Sequence, residues 1–311
     1  MNIRFMQTLL AVLVAIVIIL PGCQKDKQKR EEARESEDVV TVDTIDTQLV
    51  KDIKTVKEMF YSMPSPLEVA MILKQAETTY NPELLNPVDK TSDYVTTKSM
   101  ALNLGIYTTD LSYASLYDQT QTTIDYINAA KNMADGLGIL HAIDQKTIEK
   151  LEANVNNRDV ILDIISESIL NSSSFFQEND REAVSTIILI GGWVEGLYIA
   201  TNLIGEDPTQ EDIDNSELIA RVADQKFAVN TIMKLIEKNE ENKNLQSVKE
   251  KINQLMKIYD EIEITSSDVV PEKNTAKQVT TLKSETEISM TPDTYNKLKK
   301  QVDVIRNDFT L

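Results

Sequence analysis

The sequence has little of the residues that carry most enzyme chemistry. Among 311 residues there is one cysteine, Cys23, one histidine, His141, and one tryptophan, Trp193. A Ser-His-Asp triad would have to use His141, whose apolar surroundings favour a partly buried, hydrogen-bonded histidine instead. Zinc would find too few ligands, and neither a phosphate-binding glycine loop nor the acidic spacing of an EF-hand is present. We therefore expect no metal, no other cofactor and no enzymatic activity.

Proline and glycine are also scarce, with eight of each. No proline occurs between Pro87 and Pro208, and no glycine follows Gly205. All-β folds need turn residues at roughly every 8 to 12 positions, so a chain with so few of them favours long helices. We predict an all-α fold, either a multi-helix bundle or stacked α-hairpins, with about eight or nine helices.

Positive charge is in deficit, because 32 Lys and Arg residues stand against 50 Asp and Glu residues, a net charge of -18. A surface of this sign repels nucleic acid and anionic lipid headgroups. We therefore expect no nucleic-acid partner. A short basic segment, 25–30, could seat the chain on anionic headgroups, although a solvated linker is the favoured interpretation.

Helical spacing and capping residues locate the predicted helices. Ser65-Pro66, Asn179-Asp180 and Thr291-Pro292 have the residue types that open a helix. The segment 265–290 is rich in Thr, Ser and charge and is predicted to be a long loop with a little extended structure. The predicted helices are 66–79, 91–117, 119–135, 144–154, 158–177, 180–204, 215–238, 244–263 and 292–308.

The helix predicted over 180–204 is apolar enough to resemble a membrane span, because Glu195 is its only charged residue after the first turn. Gly192, Gly196 and Ala200 recur at four-residue spacing and would form a face that another backbone can approach closely. We predict that it is the central buried helix of the bundle.

The helix predicted over 91–117 has apolar residues on two sides, so we expect neighbours on both. Its remaining stripe consists of Thr96, Asn103 and Asp110 at seven-residue spacing, and we attribute this stripe to contact with solvent rather than with a ligand. Five tyrosines cluster nearby, and we expect them to pack in the core with hydroxyls that reach the surface, not to form a sugar-binding strip. These are Tyr94, Tyr107, Tyr113, Tyr117 and Tyr126.

Two of the predicted helices resemble each other in sequence. Helical hydrophobes align easily by chance, so the sequence leaves open whether an α-hairpin unit is duplicated. The matches occur at a constant offset of 86, from Ser99, Leu102, Leu104, Gly105, Tyr107, Leu111 and Ala114 to Ser185, Ile188, Ile190, Gly191, Trp193, Leu197 and Ala200.

Glu195 is the candidate catalytic residue. Its apolar setting would favour the protonated form, and two carboxylates suffice for glycoside hydrolysis. Asp110 or Glu167 would have to supply the second carboxylate. The alternative, which we favour, is an ion pair between Glu195 and a cation on a neighbouring helix, such as Arg221 or Lys226.

Two aromatic residues beside Glu195 are candidates for ligand binding. If the bundle encloses a small ligand, we expect Trp193 and Tyr198 to line a closed cavity together with the tyrosines. If the core is packed solid there, this hypothesis loses its support.

The amino terminus has the three parts of a secretory signal, which are a basic residue, an apolar run over 9–20 and turn-forming residues. The run is shorter than the roughly 20 residues that a membrane span needs. The four residues Leu20-Pro21-Gly22-Cys23 resemble the lipobox of bacterial lipoproteins. The resemblance implies that signal peptidase II cleaves before Cys23 and that Cys23 is acylated. The alternative is an ordinary signal peptide that leaves a free cysteine.

The residues after Cys23 bear on the destination of such a lipoprotein. The absence of Asp at position 24 implies the outer membrane under the enteric sorting rule. Residues 24–27 partly resemble the surface-export signal of Bacteroidota lipoproteins, but Lys27 interrupts its acidic part. We expect an outer-membrane lipoprotein that faces either the periplasm or the cell surface.

Three segments follow from these patterns: a signal peptide at 1–22, a lipid-anchored flexible tether at 23–43, and one helical domain at 44–311. We expect a cell-envelope protein with a non-catalytic helical domain that binds or scaffolds an envelope protein partner. The alternatives are a small-ligand binding protein and a carboxylate-dependent glycan hydrolase that uses Glu195.

Overall fold

The structure is a computed structural model that describes residues 78–139, 145–165, 167–168, 181–266, 270–274, 279–283 and 286–311. All of them lie within the unit Lys51–Leu311. The predicted signal peptide and tether, with Cys23, lie outside the described residues. So do His141 and nearly all of the helix predicted over 66–79.

The fold is all-α, as the sequence predicts. Two short 3₁₀ helices, Pro82–Leu84 and Val88–Asp93, precede the α-helix that begins at Thr97. Residues 158–165 and 167–168 are helical in addition to the labelled helices. The labelled helices are α1 (Thr97–Leu116), α2 (Thr120–Gly136), α3 (Gln145–Ala153), α4 (Glu182–Ile204), α5 (Gln210–Asn215), α6 (Glu217–Lys238), α7 (Lys243–Asp260) and α8 (Pro292–Phe309).

Capping explains where several helices begin. Thr96 and Ser99 form a reciprocal capping box, which starts α1 after the 3₁₀ turn and not at residue 91 as predicted. The predicted opening of α8 is confirmed, because Thr291 accepts a hydrogen bond from the Thr294 amide and Pro292 follows it. The predicted cap of α4 is wrong: its N-cap is Arg181, which makes no side-chain cap.

Between α7 and α8 the chain forms antiparallel strands where the sequence predicts mainly a loop. Strand β1 (Glu263–Ser266) pairs with β4 (Thr286–Ser289), and β2 (Val270–Asn274) pairs with β3 (Val279–Lys283). The two ladders are nested along the chain, as in one long hairpin. Ile264 and Ile288 lie opposite each other and pack against the helical core, which ties the base of this hairpin to the bundle. Because strand β1 begins at Glu263, α7 ends at Asp260, three residues earlier than predicted.

Helix α4 lies at the centre of the described bundle and packs against α1, α6, α7 and α8. None of its residues is classed as exposed. Among the described residues it is the one helix that is long and apolar enough to cross a membrane, with a mean hydropathy of 1.6, and 56% of that stretch is buried by other parts of the protein. Core helices meet the same criterion of length and composition.

Glycine allows α1 and α4 to pack with their backbones in contact. A Cβ added to Gly105 would overlap the Ile188 carbonyl oxygen, and a Cβ added to Gly191 would overlap the Leu102 carbonyl oxygen. The two contacts correspond to each other, because Gly105 and Gly191 are 86 residues apart in the sequence, and so are Leu102 and Ile188. The close approach predicted for the face of Gly192, Gly196 and Ala200 is only partly right. A Cβ on Gly192 would lie 3.3 Å from the Gly105 carbonyl oxygen, but a Cβ on Gly196 would meet nothing within 4 Å.

Candidate functional site

Glu195 lies in the middle of α4, 0% exposed, and is bound by an arginine from the last helix. Arg306 on α8 donates two hydrogen bonds to it, from Nε to Oε2 at 3.0 Å and from Nη2 to Oε1 at 3.1 Å. Two parallel bonds between a guanidinium and a carboxylate are the strongest geometry for this type of pair. Each carboxylate oxygen of Glu195 therefore accepts one hydrogen bond from Arg306.

The guanidinium of Arg306 makes further contacts that hold it in the core. Its Nη2 also donates to the Leu84 carbonyl oxygen at 3.2 Å, and its Cζ lies 4.5 Å from the centroid of the Tyr198 ring. A cation over an aromatic face is attracted by the ring's quadrupole, more strongly where water is excluded. Arg306 thus joins α8 both to α4 and to the segment that precedes α1.

Asp110 on α1 is a second carboxyl group in this cluster, and it is also 0% exposed. Its Oδ2 accepts a hydrogen bond from the Asn86 amide at 3.1 Å, whereas its Oδ1 has no hydrogen-bond donor. Burial, and next the charge of the adjoining Glu195, raise the pKa of Asp110 well above its usual range, against the opposing effect of Arg306. Burial also raises the pKa of Glu195, and Arg306 opposes that shift.

Asn86 connects the acidic cluster to α1 and α2. Its side-chain Nδ2 donates to the Tyr94 hydroxyl at 3.1 Å and to Asn103 Oδ1 at 3.0 Å. Its carbonyl oxygen accepts from the Tyr126 hydroxyl at 2.8 Å. Since Asn86 is 0% exposed, these bonds replace the water that its polar groups would otherwise bind.

The carboxyl end of α8 is held by the same network. Asn103 Nδ2 donates to the Phe309 carbonyl at 3.0 Å, and Lys90 Nζ donates to the Thr310 carbonyl at 3.0 Å. The last carbonyls of a helix have no partner within the helix, so these bonds satisfy groups that α8 itself leaves free.

The tyrosines pack against one another, as predicted, and each hydroxyl bonds another group of the protein. The bonds of Tyr94 and Tyr126 are buried, and those of Tyr107, Tyr113 and Tyr117 are partly buried. The Tyr107 and Tyr126 rings lie 5.9 Å apart, and the Tyr107 hydroxyl donates to the Pro87 carbonyl at 2.9 Å. Burial raises the pKa of both phenols, and it raises the pKa of Tyr113 to about 12. These side chains are therefore neutral at physiological pH.

The predicted solvent-facing stripe of α1 is wrong for two of its three residues. Thr96 is exposed and caps the helix, but Asn103 and Asp110 are both 0% exposed. They face the segment around Asn86 and the end of α8, which supply polar partners that periodicity within α1 cannot reveal.

Glu195 has a cationic partner on a neighbouring helix, but not one of the two named from the sequence. Arg221 bonds Asp224 on its own helix, and Lys226 donates to the Ile262 carbonyl. The carboxyl group beside Glu195 belongs to Asp110, while Glu167 is exposed. Arg306 takes the role that the sequence assigned to α6.

The two candidate binding residues of α4 face different neighbours. Trp193 is 5% exposed and its Nε1 donates to Gln225 Oε1 on α6 at 3.1 Å. Tyr198 lies against Arg306 on α8. Their described partners lie on different helices, so these contacts give no support to a ligand site formed by both.

Arg306 and Asn86 are the two residues of the cluster that sequence reasoning missed. A signal for Arg306 was present, because it lies four residues after Val302 and three before Phe309, on the apolar face of α8. A charged residue in such a position needs a buried partner. Asn86 precedes Pro87 in a segment without periodicity, and nothing in its local sequence indicates burial.

The two adjoining acids of the cluster can hold and share a proton. Among the described residues, no group of three or more His, Cys, Asp or Glu side chains could hold a metal ion.

Elsewhere the surface has a shallow depression of about 600 Å³ beside α6 and α7. Phe227, 54% exposed, and Met256 are among its lining residues.

Comparison with known proteins gives no relative for this arrangement. No protein-family model, no curated protein and no solved structure matches the chain.

Proposed function

We propose that this protein is a lipid-anchored protein of the bacterial outer membrane whose helical domain binds an envelope protein partner and performs no catalysis. The absence of catalysis is proposed from the burial and the hydrogen bonds of Glu195. Glu195 is 0% exposed, and both of its oxygens accept hydrogen bonds from Arg306. The best catalytic candidate of the sequence is thus engaged in holding α8 to α4.

A glycoside hydrolase needs its two carboxyl groups on either side of a sugar. The separation between them is about 5 Å or more, because substrate or water must fit between. Asp110 and Glu195 adjoin each other directly, and Arg306 covers the second of them. A general acid must also come within hydrogen-bond reach of its substrate, which a fully buried pair can do only if the bundle opens.

The membrane part of the proposal is supported by Leu20-Pro21-Gly22-Cys23 and the apolar run before it. One acyl chain gives only marginal membrane binding, whereas two or three chains hold stably at ~0.8 kcal/mol per buried CH₂. The net charge of -18 keeps the domain away from anionic headgroups and suits contact with a protein of complementary charge.

The anchor is tested by mass spectrometry of the amino-terminal peptide of chain extracted from membranes. We expect a peptide that begins at Cys23 and carries acyl chains. In Cys23→Ser this acylated peptide disappears and mature chain is lost from the membrane fraction, whereas the matched variant Gln28→Ser behaves as the unchanged chain. A mature terminus elsewhere, or an unmodified Cys23 thiol, contradicts the proposal.

Partner binding is tested by photo-cross-linking in cells. A photoreactive residue at Phe227, the most exposed large apolar side chain of α6, should give a discrete adduct that identification by mass spectrometry assigns to one envelope protein. The same residue at the buried Val229 is the control and should give no intermolecular adduct. If purified chain instead hydrolyses cell-wall glycans, and Glu195→Gln abolishes the activity while the chain stays folded, the non-catalytic assignment is wrong.

A further inference from the structure

The buried cluster contains two acids and one cation. Asp110 comes from α1, Glu195 from α4 and Arg306 from α8, and all three are at least nine-tenths buried. Two lysines on the flanking elements bond elsewhere, Lys90 with the Thr310 carbonyl and Lys299 with Asp303. If both acids were ionised, the core would hold an uncompensated negative charge, which is costly in a medium of low dielectric constant.

The hydrogen bonds show which acid lacks compensation. Glu195 receives two charge-assisted bonds from Arg306, as an ionised carboxylate requires. Asp110 receives one bond, from the Asn86 amide to Oδ2, and its buried Oδ1 has no hydrogen-bond donor. A protonated carboxyl group needs one acceptor for its own hydrogen, and the adjoining Glu195 carboxylate is an acceptor.

We infer that Asp110 is protonated in the folded protein at neutral pH and donates its hydroxyl hydrogen to Glu195, so that the cluster is a neutral lock joining α1, α4 and α8. The proton gives the orphaned Oδ1 a partner and removes the excess charge. The stability of the bundle then depends on pH.

The other described groups around the cluster do not supply a competing charge. Phenols face it from the segment before α1, from α1, α2 and α4, and burial raises the pKa of each, so they are neutral. Asp303 on α8 is the remaining acid near Tyr198, and Lys299 neutralises it. The phenols are Tyr80, Tyr94, Tyr107, Tyr126 and Tyr198.

The pH dependence has a definite sign. Burial and Glu195 place the pKa of Asp110 in the folded chain well above its value in the unfolded chain. Between these two pKa values the folded state binds one more proton than the unfolded state, so stability falls as pH rises. This contribution is fully present below the unfolded pKa and is lost as pH rises to the folded pKa.

The variant Asp110→Asn distinguishes a protonated Asp110 from an Asp110 that only fills space and accepts a hydrogen bond. Asparagine keeps an oxygen for the Asn86 amide and puts an amide N–H where the carboxylic hydrogen would be, but it does not titrate. The exposed Asp163→Asn is the matched control. The measurement is the unfolding equilibrium of the purified full-length chain in urea, from about pH 5 to about pH 9.

As pH increases, we expect the unfolding equilibrium constant of the unchanged chain to rise relative to that of Asp110→Asn. The rise should reach up to about tenfold per pH unit between the unfolded and folded pKa values of Asp110. The unchanged chain and Asp163→Asn should give parallel curves. Parallel curves for Asp110→Asn as well would overturn the inference.

Infrared spectroscopy of the unchanged chain tests the proton directly and does not depend on a folded variant. A carbonyl band of a protonated carboxylic acid should persist at neutral pH in the unchanged chain and in Asp163→Asn, and should be missing from folded Asp110→Asn. Absence of that band in the unchanged chain, or its persistence in folded Asp110→Asn, contradicts a protonated Asp110.

Discussion

Replacing Gly191 by alanine tests the backbone contact between α1 and α4. An alanine normally stabilises a helix interior by about 1 kcal/mol relative to glycine. At Gly191, however, the added Cβ would lie 2.9 Å from the Leu102 carbonyl carbon and closer still to its oxygen. Neither atom is the end of a flexible side chain, so one helix has to move.

The size of the effect follows from these opposing contributions. Overpacking a well-packed interior costs about 1–3 kcal/mol, occasionally more, and a clash with backbone belongs at the upper end. After the gain in helix propensity, we expect Gly191→Ala to lower the free energy of unfolding by about 2 kcal/mol. Urea denaturation followed by circular dichroism measures this change.

Gly196→Ala on the same helix is the matched control. A Cβ there meets nothing within 4 Å, so only the helix propensity changes and the chain should gain about 0.5–1 kcal/mol. The two substitutions therefore have opposite expected signs. If Gly191→Ala stabilises the chain as much as Gly196→Ala does, the close approach of α1 and α4 is wrong.

Two further substitutions test single hydrogen bonds by urea denaturation. Tyr126→Phe leaves the buried Asn86 carbonyl without its donor and should cost about 1–3 kcal/mol; a cost near zero would mean that water reaches this carbonyl. Thr291→Ala removes the cap of α8 and should cost about 1 kcal/mol, and an unchanged urea midpoint would show that the Thr294 amide has another acceptor.

The all-α fold could be predicted because its signals are local. Scarce proline and glycine, apolar periodicity and the cap at Thr291 each act within one helix, and α2 and α8 begin and end within one residue of the predicted bounds. The hairpin between α7 and α8 was predicted only as a loop with a little extended structure. Its strands are stabilised by pairing across many residues, as between Ile264 and Ile288, and such pairing has no signature in either segment alone.

The site could be predicted only in part, for the same physical reason. The apolar neighbours of Glu195 within α4 indicate its burial. Its partner Arg306 is 111 residues away in sequence, and only the fold brings the two side chains together. The polar stripe of α1 was assigned to solvent because Asn103 and Asp110 look alike whether water or buried backbone satisfies them.

A double-mutant cycle on Glu195 and Arg306 tests most directly whether this pair holds α4 and α8 together. If the pair is architectural, Glu195→Gln and Arg306→Gln should each cost about 3–5 kcal/mol, because each removes the bidentate partner of a buried charge. The double variant should cost less than the two together, with a coupling energy of about 1–3 kcal/mol. The partly exposed pair of Lys238 and Glu182 is the control and should couple by less than about 1 kcal/mol. A Glu195→Gln chain as stable as the unchanged protein would show that Glu195 does not hold the bundle together.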